Sequence, residues 1–159
     1  MRWFRDLVTL VWFVFPLYAW GKQPPKHVIQ YRTEDCKTNE NARSCAWLGA
    51  FLEKKGKQQQ AKKFYKKACK ALIRPIGSAC YLWGLLAKDK KVALQAFFLA
   101  CKRKDPDGCT ALGIHFARQG KLAKALPLYQ KACAGKDGRG CHRFALHLIK
   151  TKKKKSGMR

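Results

Sequence analysis

The chain has 159 residues, one domain's worth of material, and its 47% of hydrophobic residues excludes a wholly disordered polymer. Thirty-five Lys and Arg stand against nine Asp and Glu, a formal net of +26, which bears on solubility and anionic partners and says nothing about fold. Eight Cys in so short a chain imply either disulfides or metal.

Reading from the N-terminus, Arg2 and Arg5 flank an uncharged apolar run from Leu7 to Trp20. This predicts a secretory signal over residues 1–21, cleaved after Gly21, because Ala19 and Gly21 place small residues where a signal peptidase reads them. As a helix the run reaches about 21 Å, short of a hydrocarbon core of roughly 30 Å. The alternative is an uncleaved anchor; with cleavage, the mature chain has no transmembrane span. Export makes the protein secreted or periplasmic, in an oxidising compartment where paired cysteines persist. Residues 22–27, with Pro24-Pro25, read as a linker.

Past the linker, apolar periodicity predicts a partial helix over 28–36 and seven main helices over 43–55, 58–71, 78–88, 90–102, 108–118, 121–134 and 139–150. Pro127 falls in the second turn of one of them, where the missing N–H costs less than at mid-helix. Residues 151–159 read as a disordered basic tail.

The helical text repeats. Cys36, Cys69, Cys101 and Cys133 fall 33, 32 and 32 residues apart, and each is followed by a second cysteine, at Cys45, Cys80, Cys109 and Cys141. Eight cysteines allow 105 connectivities in principle; one close pair per repeated unit favours four local loops over any mixture. Three residues after the second cysteine of each pair come Leu48-Gly49, Trp83-Gly84, Leu112-Gly113 and Phe144-Ala145. Before the next pair come Ala61, Tyr65 and Ala68, then Ala93, Phe97 and Ala100, then Ala125, Tyr129 and Ala132. Spacings of four and three put each trio on one helical face, the small residues allowing close approach and the aromatic filling the groove beside them. Gly56 and Gly120 sit where a first helix must stop. The expected fold is an all-α solenoid of about three and a half helix-turn-helix units over residues 28–150, stapled by four local disulfides.

The Leu48-Gly49, Leu52, Gly56, Ala61, Tyr65, Ala68 spacing returns as Leu112-Gly113, Phe116, Gly120, Ala125, Tyr129, Ala132. It resembles the tetratricopeptide repeat. The cysteine after the last Ala, paired across the loop to the next unit, is similar to secreted bacterial cysteine-rich proteins built of Sel-like repeats. Two departures stand out. Gly84 is nine residues from Ala93 where the other units have twelve, and the Cys69 to Cys80 loop is longer, which suggests a helix slid along the chain. The extended turn usual in Sel-like units is also missing.

Candidate chemistry is sparse. No Cys-x-x-Cys or Cys-x-x-Cys-His occurs and the histidines are scattered, so neither a metal nor another cofactor is expected. Similar cysteine-rich repeat proteins have been described as binding penicillins and hydrolysing β-lactams slowly, so the resemblance implies a possible weak hydrolase. The residues supply no support for it: Ser44 is followed three on by Trp47 and Ser78 by Tyr81, not by the lysine of a Ser-x-x-Lys nucleophile. Asp105, Asp107 and Asp137 lie between paired cysteines, where turn formation and N-capping explain them. No catalytic residue is assigned.

In arrays that resemble tetratricopeptide repeats, the first helix of each unit lines a concave groove for an extended peptide. Carried onto matching positions, the resemblance implies a groove of Arg43, Ala46, Ala50 and Lys54, then Tyr81, Leu85 and Lys88. Thr110, Ile114 and Arg118 follow, and then Arg139, His142, Leu146 and Lys150. Its cations offer charge-assisted bonds to carboxylates or phosphates, and its apolar residues bury side chains. The expected function is an interaction module for a protein or acidic peptide. An anionic cell-envelope polymer or lipid is the less specific alternative. Nucleic acid is disfavoured, because export separates the chain from it and the aromatics sit at packing positions.

Overall fold

A computed structural model describes residues 23–157, without the side chains of 151–156. The expected signal segment, Lys22 and residues 158–159 lie outside the described residues. Among the described residues stand eight α-helices and no strand. They are α1 (Lys26–Thr38), α2 (Ala42–Lys54), α3 (Gln58–Lys70), α4 (Gly77–Leu85), α5 (Lys90–Lys102), α6 (Pro106–Arg118), α7 (Leu122–Ala134) and α8 (Gly138–Ser156). The chain divides into two compact units, residues 1–31 and 32–159, the division falling inside α1. In the first, the described part opens the helix, with the Val28 and Ile29 N–H groups donating to the Pro25 carbonyl. Lys26 and His27, expected in the linker, already belong to α1.

The second unit is an array of hairpins, α2–α3, α4–α5 and α6–α7, closed by α8; each helix from α2 on packs on the next, and α6 also touches α4 and α8. The starts of α2, α5 and α6 are set by side-chain caps. Asn41 Oδ1 accepts from the Arg43 N–H at 3.0 Å, Asp89 Oδ1 from the Lys91 N–H at 2.6 Å and Asp105 Oδ1 from the Gly108 N–H at 2.9 Å. Each satisfies a backbone donor that the first turn leaves unpaired. The stops of α2 and α6 are Schellman turns. Gly56 and Gly120 take φ of +73° and +72°, while the Lys57 and Lys121 N–H groups reach back to the Leu52 and Phe116 carbonyls, each at 2.9 Å. The ends of α5 and α7 use the same turn with lysine in the left-handed position, Lys104 at φ 62° and Lys136 at φ 67°.

Packing between the two helices of a hairpin rests on a glycine against an aromatic ring. A Cβ at Gly49 would stand 2.6 Å from the Tyr65 ring, one at Gly84 2.5 Å from Phe97, and one at Gly113 2.7 Å from Tyr129. Around these contacts Ala61, Ala68, Ala96, Ala100, Ala125 and Ala132 are all inaccessible to solvent. The larger core runs from the first staple through Leu48, Tyr65 and Trp83 to Ala100, and a smaller one gathers Cys101, Cys109, Ala132 and Leu128.

The four bridges are Cys36–Cys45, Cys69–Cys80, Cys101–Cys109 and Cys133–Cys141, with Cα–Cα distances of 4.9, 4.7, 4.4 and 4.4 Å. In α2, α4, α6 and α8 the cysteine is always the fourth residue of the helix, and in α3, α5 and α7 the next to last. This corrects the expectation of a slid helix in the middle unit. Relative to Cys80, α4 starts where its counterparts do, but it ends at Leu85 instead of 88. The missing residues are its last turn, and the longer 71–76 connection is extra loop. The last helix runs past the expected end at residue 150, continuing to Ser156.

Candidate functional site

The sequence-derived groove residues stand on or beside the first helices α2, α4, α6 and α8. Arg43 and Lys54 are exposed at opposite ends of α2. Arg43 also lines a depression of about 410 Å³ with Asn39, Asn41, Ile73 and Arg74. On α4, Leu85 is 55% exposed, and the Tyr81 ring tilts against Phe97 with centroids 5.9 Å apart. Lys88 is exposed beyond the end of α4, in the connection to α5. On α6, Ile114 is half-buried and Arg118 exposed; on α8, Arg139, His142 and Lys150 are exposed.

Thr110 does not belong with them. It is 1% exposed, and its hydroxyl donates to Asp137 Oδ2 at 2.6 Å, so it ties α6 to the turn before α8 and presents nothing to a ligand. Arg139 is also engaged: its guanidinium pairs with Asp107 and, through Nε at 3.4 Å, with Asp137. The Tyr81 hydroxyl is the first influence raising the Arg139 pKa, against a desolvation cost, with the Asp137 charge next. The structure thus brings Tyr81 of α4 and Arg139 of α8 to one place.

Most carboxylates among the described residues are spent internally; Glu34 and Glu40 stay exposed. Asp35 accepts from the Ser44 hydroxyl at 2.5 Å and from Asn39 at 3.0 Å, and these two bonds hold it below the ordinary carboxylate range. Glu53 accepts from the Tyr65 hydroxyl at 2.6 Å. Asp89 and Asp105 cap helices, and burial pushes the Asp105 pKa up. Burial also raises Asp137, but the bonds from Thr110 and Arg139 outweigh it and leave its pKa lowered. The consequence is a surface on which cations far outnumber free carboxylates. Among the described residues, Arg139 is the only Lys or Arg in an ion pair with a carboxylate. Several other cations lie over aromatic rings instead, Arg32 over Trp47 and Lys66 and Lys70 over Trp83.

Ser44, the first serine weighed as a nucleophile, is inaccessible to solvent; its hydroxyl donates to Asp35 and accepts from Arg32 at 3.2 Å. Two further features escaped the sequence reading. The Arg103 guanidinium donates toward the second staple, 2.9 Å from Cys80 Sγ and 3.6 Å from Cys69 Sγ. A cavity of about 200 Å³ opens between α6, α7 and α8, with Tyr129 and Arg143 in its wall. The adjacent Lys66, Lys67 and Lys70 signal a basic face on α3, but nothing in the linear text marks Arg103 or the cavity.

Four disulfides and no free cysteine among the described residues suit an oxidising environment. No helix among the described residues is long and apolar enough to cross a membrane. No protein-family model matches the chain, and no curated protein matches it. Among solved structures the chain is similar to the crystal structure of MamA, at 20% identity over 80% of this chain and 89% of that one, with a TM-score of 0.49.

Proposed function

We propose that the protein is an exported, secreted or periplasmic interaction module that binds an acidic protein or peptide along the exposed residues of its first helices. The observation that supports this most is the excess charge: six of the eight described acids are engaged in caps and internal bonds and only Glu34 and Glu40 stay exposed without one, while Arg43, Lys54, Lys88, Arg118 and Lys150 are exposed without a carboxylate partner. Such cations attract and orient an anionic chain. Leu85, Ile114 and Leu146 supply apolar contact between them. The staples hold this surface rigid, which limits the ordering cost of binding.

The test is capture of an acidic peptide by the oxidised protein, with Lys88→Glu and Arg118→Glu introduced together. Binding weakens by about tenfold or more while helicity is kept; unchanged capture rules out this surface. Retention on anionic vesicles or polymer that the double change leaves untouched would indicate general attraction to polyanions. Turnover of a chromogenic β-lactam above a reduced control would indicate the hydrolase instead.

A further inference from the structure

The third hairpin repeats the first in fixed register: Cys45 corresponds to Cys109, Gly49 to Gly113, Gly56 to Gly120 and Tyr65 to Tyr129. In that register Ala117 stands where the first hairpin has Glu53. The substitution changes the chemistry of the seam. The Tyr65 hydroxyl donates to the Glu53 carboxylate at 2.6 Å, whereas the Tyr129 hydroxyl, on a residue 4% exposed, has no acceptor for its proton, its polar neighbour being the Arg143 guanidinium. A buried phenol without an acceptor costs about 1–3 kcal/mol.

The covering helix differs in the same sense. Counting from the staple cysteines Cys80 and Cys141, Arg143 and His147 occupy the positions at which Leu82 and Leu86 pack on the core over the first hairpin. Beneath Arg143 and His147 is the cavity of about 200 Å³, walled by Ala117 and Tyr129 and by the apolar side chains of Leu122, Leu126 and Leu146. Lys150 closes the rim, and no acid lines it. Arg143 is a donor only, so it cannot take the Tyr129 proton. Burial raises the Tyr129 pKa, and Arg143, through its charge and a hydrogen bond to the phenol oxygen, and then the charge of Arg118 pull against that rise; the hydroxyl remains a neutral donor beside fixed positive charge.

We infer that this cavity is a binding site for a carboxylate attached to one apolar group, the carboxylate taking the place that Glu53 fills in the first hairpin. The Tyr129 hydroxyl and Arg143 donate to the oxygens, and the leucines hold the apolar part. The volume is below the roughly 300–1,000 Å³ of a drug-sized pocket, which limits the occupant to about one apolar residue. Two sources carry that chemistry, a free small acid and the C-terminus of a peptide. The inference does not rest on the acidic-partner reading: Leu146 and Lys150 belong to both surfaces, but the cavity's donors, Tyr129 and Arg143, are not in the charged row.

The experiment is calorimetric or NMR titration of the full oxidised chain with N-acetylleucine, N-acetylleucinamide and a short peptide ending in a free leucine carboxylate. The acids bind, and the amide binds at least about tenfold more weakly. Binding of both acids assigns the site to the terminal group alone, and binding of the peptide only assigns it to a chain end. Tyr129→Phe, a ring the second hairpin already uses at Phe97, weakens the acid by about tenfold, whereas Tyr65→Phe leaves it unchanged. Ala117→Glu supplies the missing carboxylate internally and abolishes binding with the fold intact. Equal binding of acid and amide, failure of both the free acid and the peptide to bind, or an Ala117→Glu protein that binds as before would overturn the inference.

Discussion

Replacing Cys101 and Cys109 together by alanine removes one staple while leaving both helices it joins. The bridges close segments of 9, 11, 8 and 8 residues in chain order. On the chain-entropy estimate, each restrains the unfolded state by about 2.5 kcal/mol, and the dependence on length is so shallow that the four differ by only about 0.3 kcal/mol. Four together amount to about 10 kcal/mol, the size of an ordinary domain's whole stability. The array is therefore expected to fold when oxidised and to be marginal when reduced. Urea denaturation followed by circular dichroism on the four double-alanine variants provides the assay. Losses near 2.5 kcal/mol in all four support restraint of the unfolded chain. The competing account is packing: Cys36, Cys45, Cys69 and Cys80 are fully buried, while Cys101 is 5% exposed. If the first two variants lose more than the last two by over about 1 kcal/mol, cavities and not chain entropy dominate, and the reasoning fails.

Three other outcomes are expected. Lys104→Gly and Lys136→Gly relieve left-handed backbone at φ 62° and 67°; less the entropy of an added glycine, each raises stability by up to about 1 kcal/mol, read as a shift in Tm. Gly113→Ala drives a methyl to 2.7 Å from the Tyr129 ring and lowers stability by about 1–3 kcal/mol, a loss that denaturant titration would measure. Ser44→Ala removes the first bond holding Asp35 below its ordinary 3.8, so its carboxyl resonance titrates at higher pH in NMR. Because Asp35 is lowered in the folded state, its contribution is complete above about pH 4 and is lost as pH falls through the lowered pKa; in the variant that acid-side loss shrinks.

Helices, hairpins and bridges were legible because each is written locally and repeated: a cysteine at one fixed place, then a glycine, then an aromatic flanked by alanines. Gly56 and Gly120 announce their turns because the left-handed position favours glycine. Lys104 and Lys136 occupy the same position without any such mark. The shortened α4 was misread because spacing counts residues without saying whether they are helix or loop. Thr110 sits at a groove position by register, yet Asp137, 27 residues later, draws it inward. Long-range partners are what a linear text conceals, and the Ala117 cavity depends on three helices meeting.

The staples also bear on how the chain acquires its bonds. The nearest wrong partner for Cys45 is Cys69, about 24 residues away, against 9 for the native bridge. Loop-closure entropy then disfavours the mispaired ring by roughly 0.9 kcal/mol, several-fold in population, before any native structure has formed. Oxidation of the nascent polypeptide is accordingly biased toward the correct linkages at every step, with little need for reshuffling.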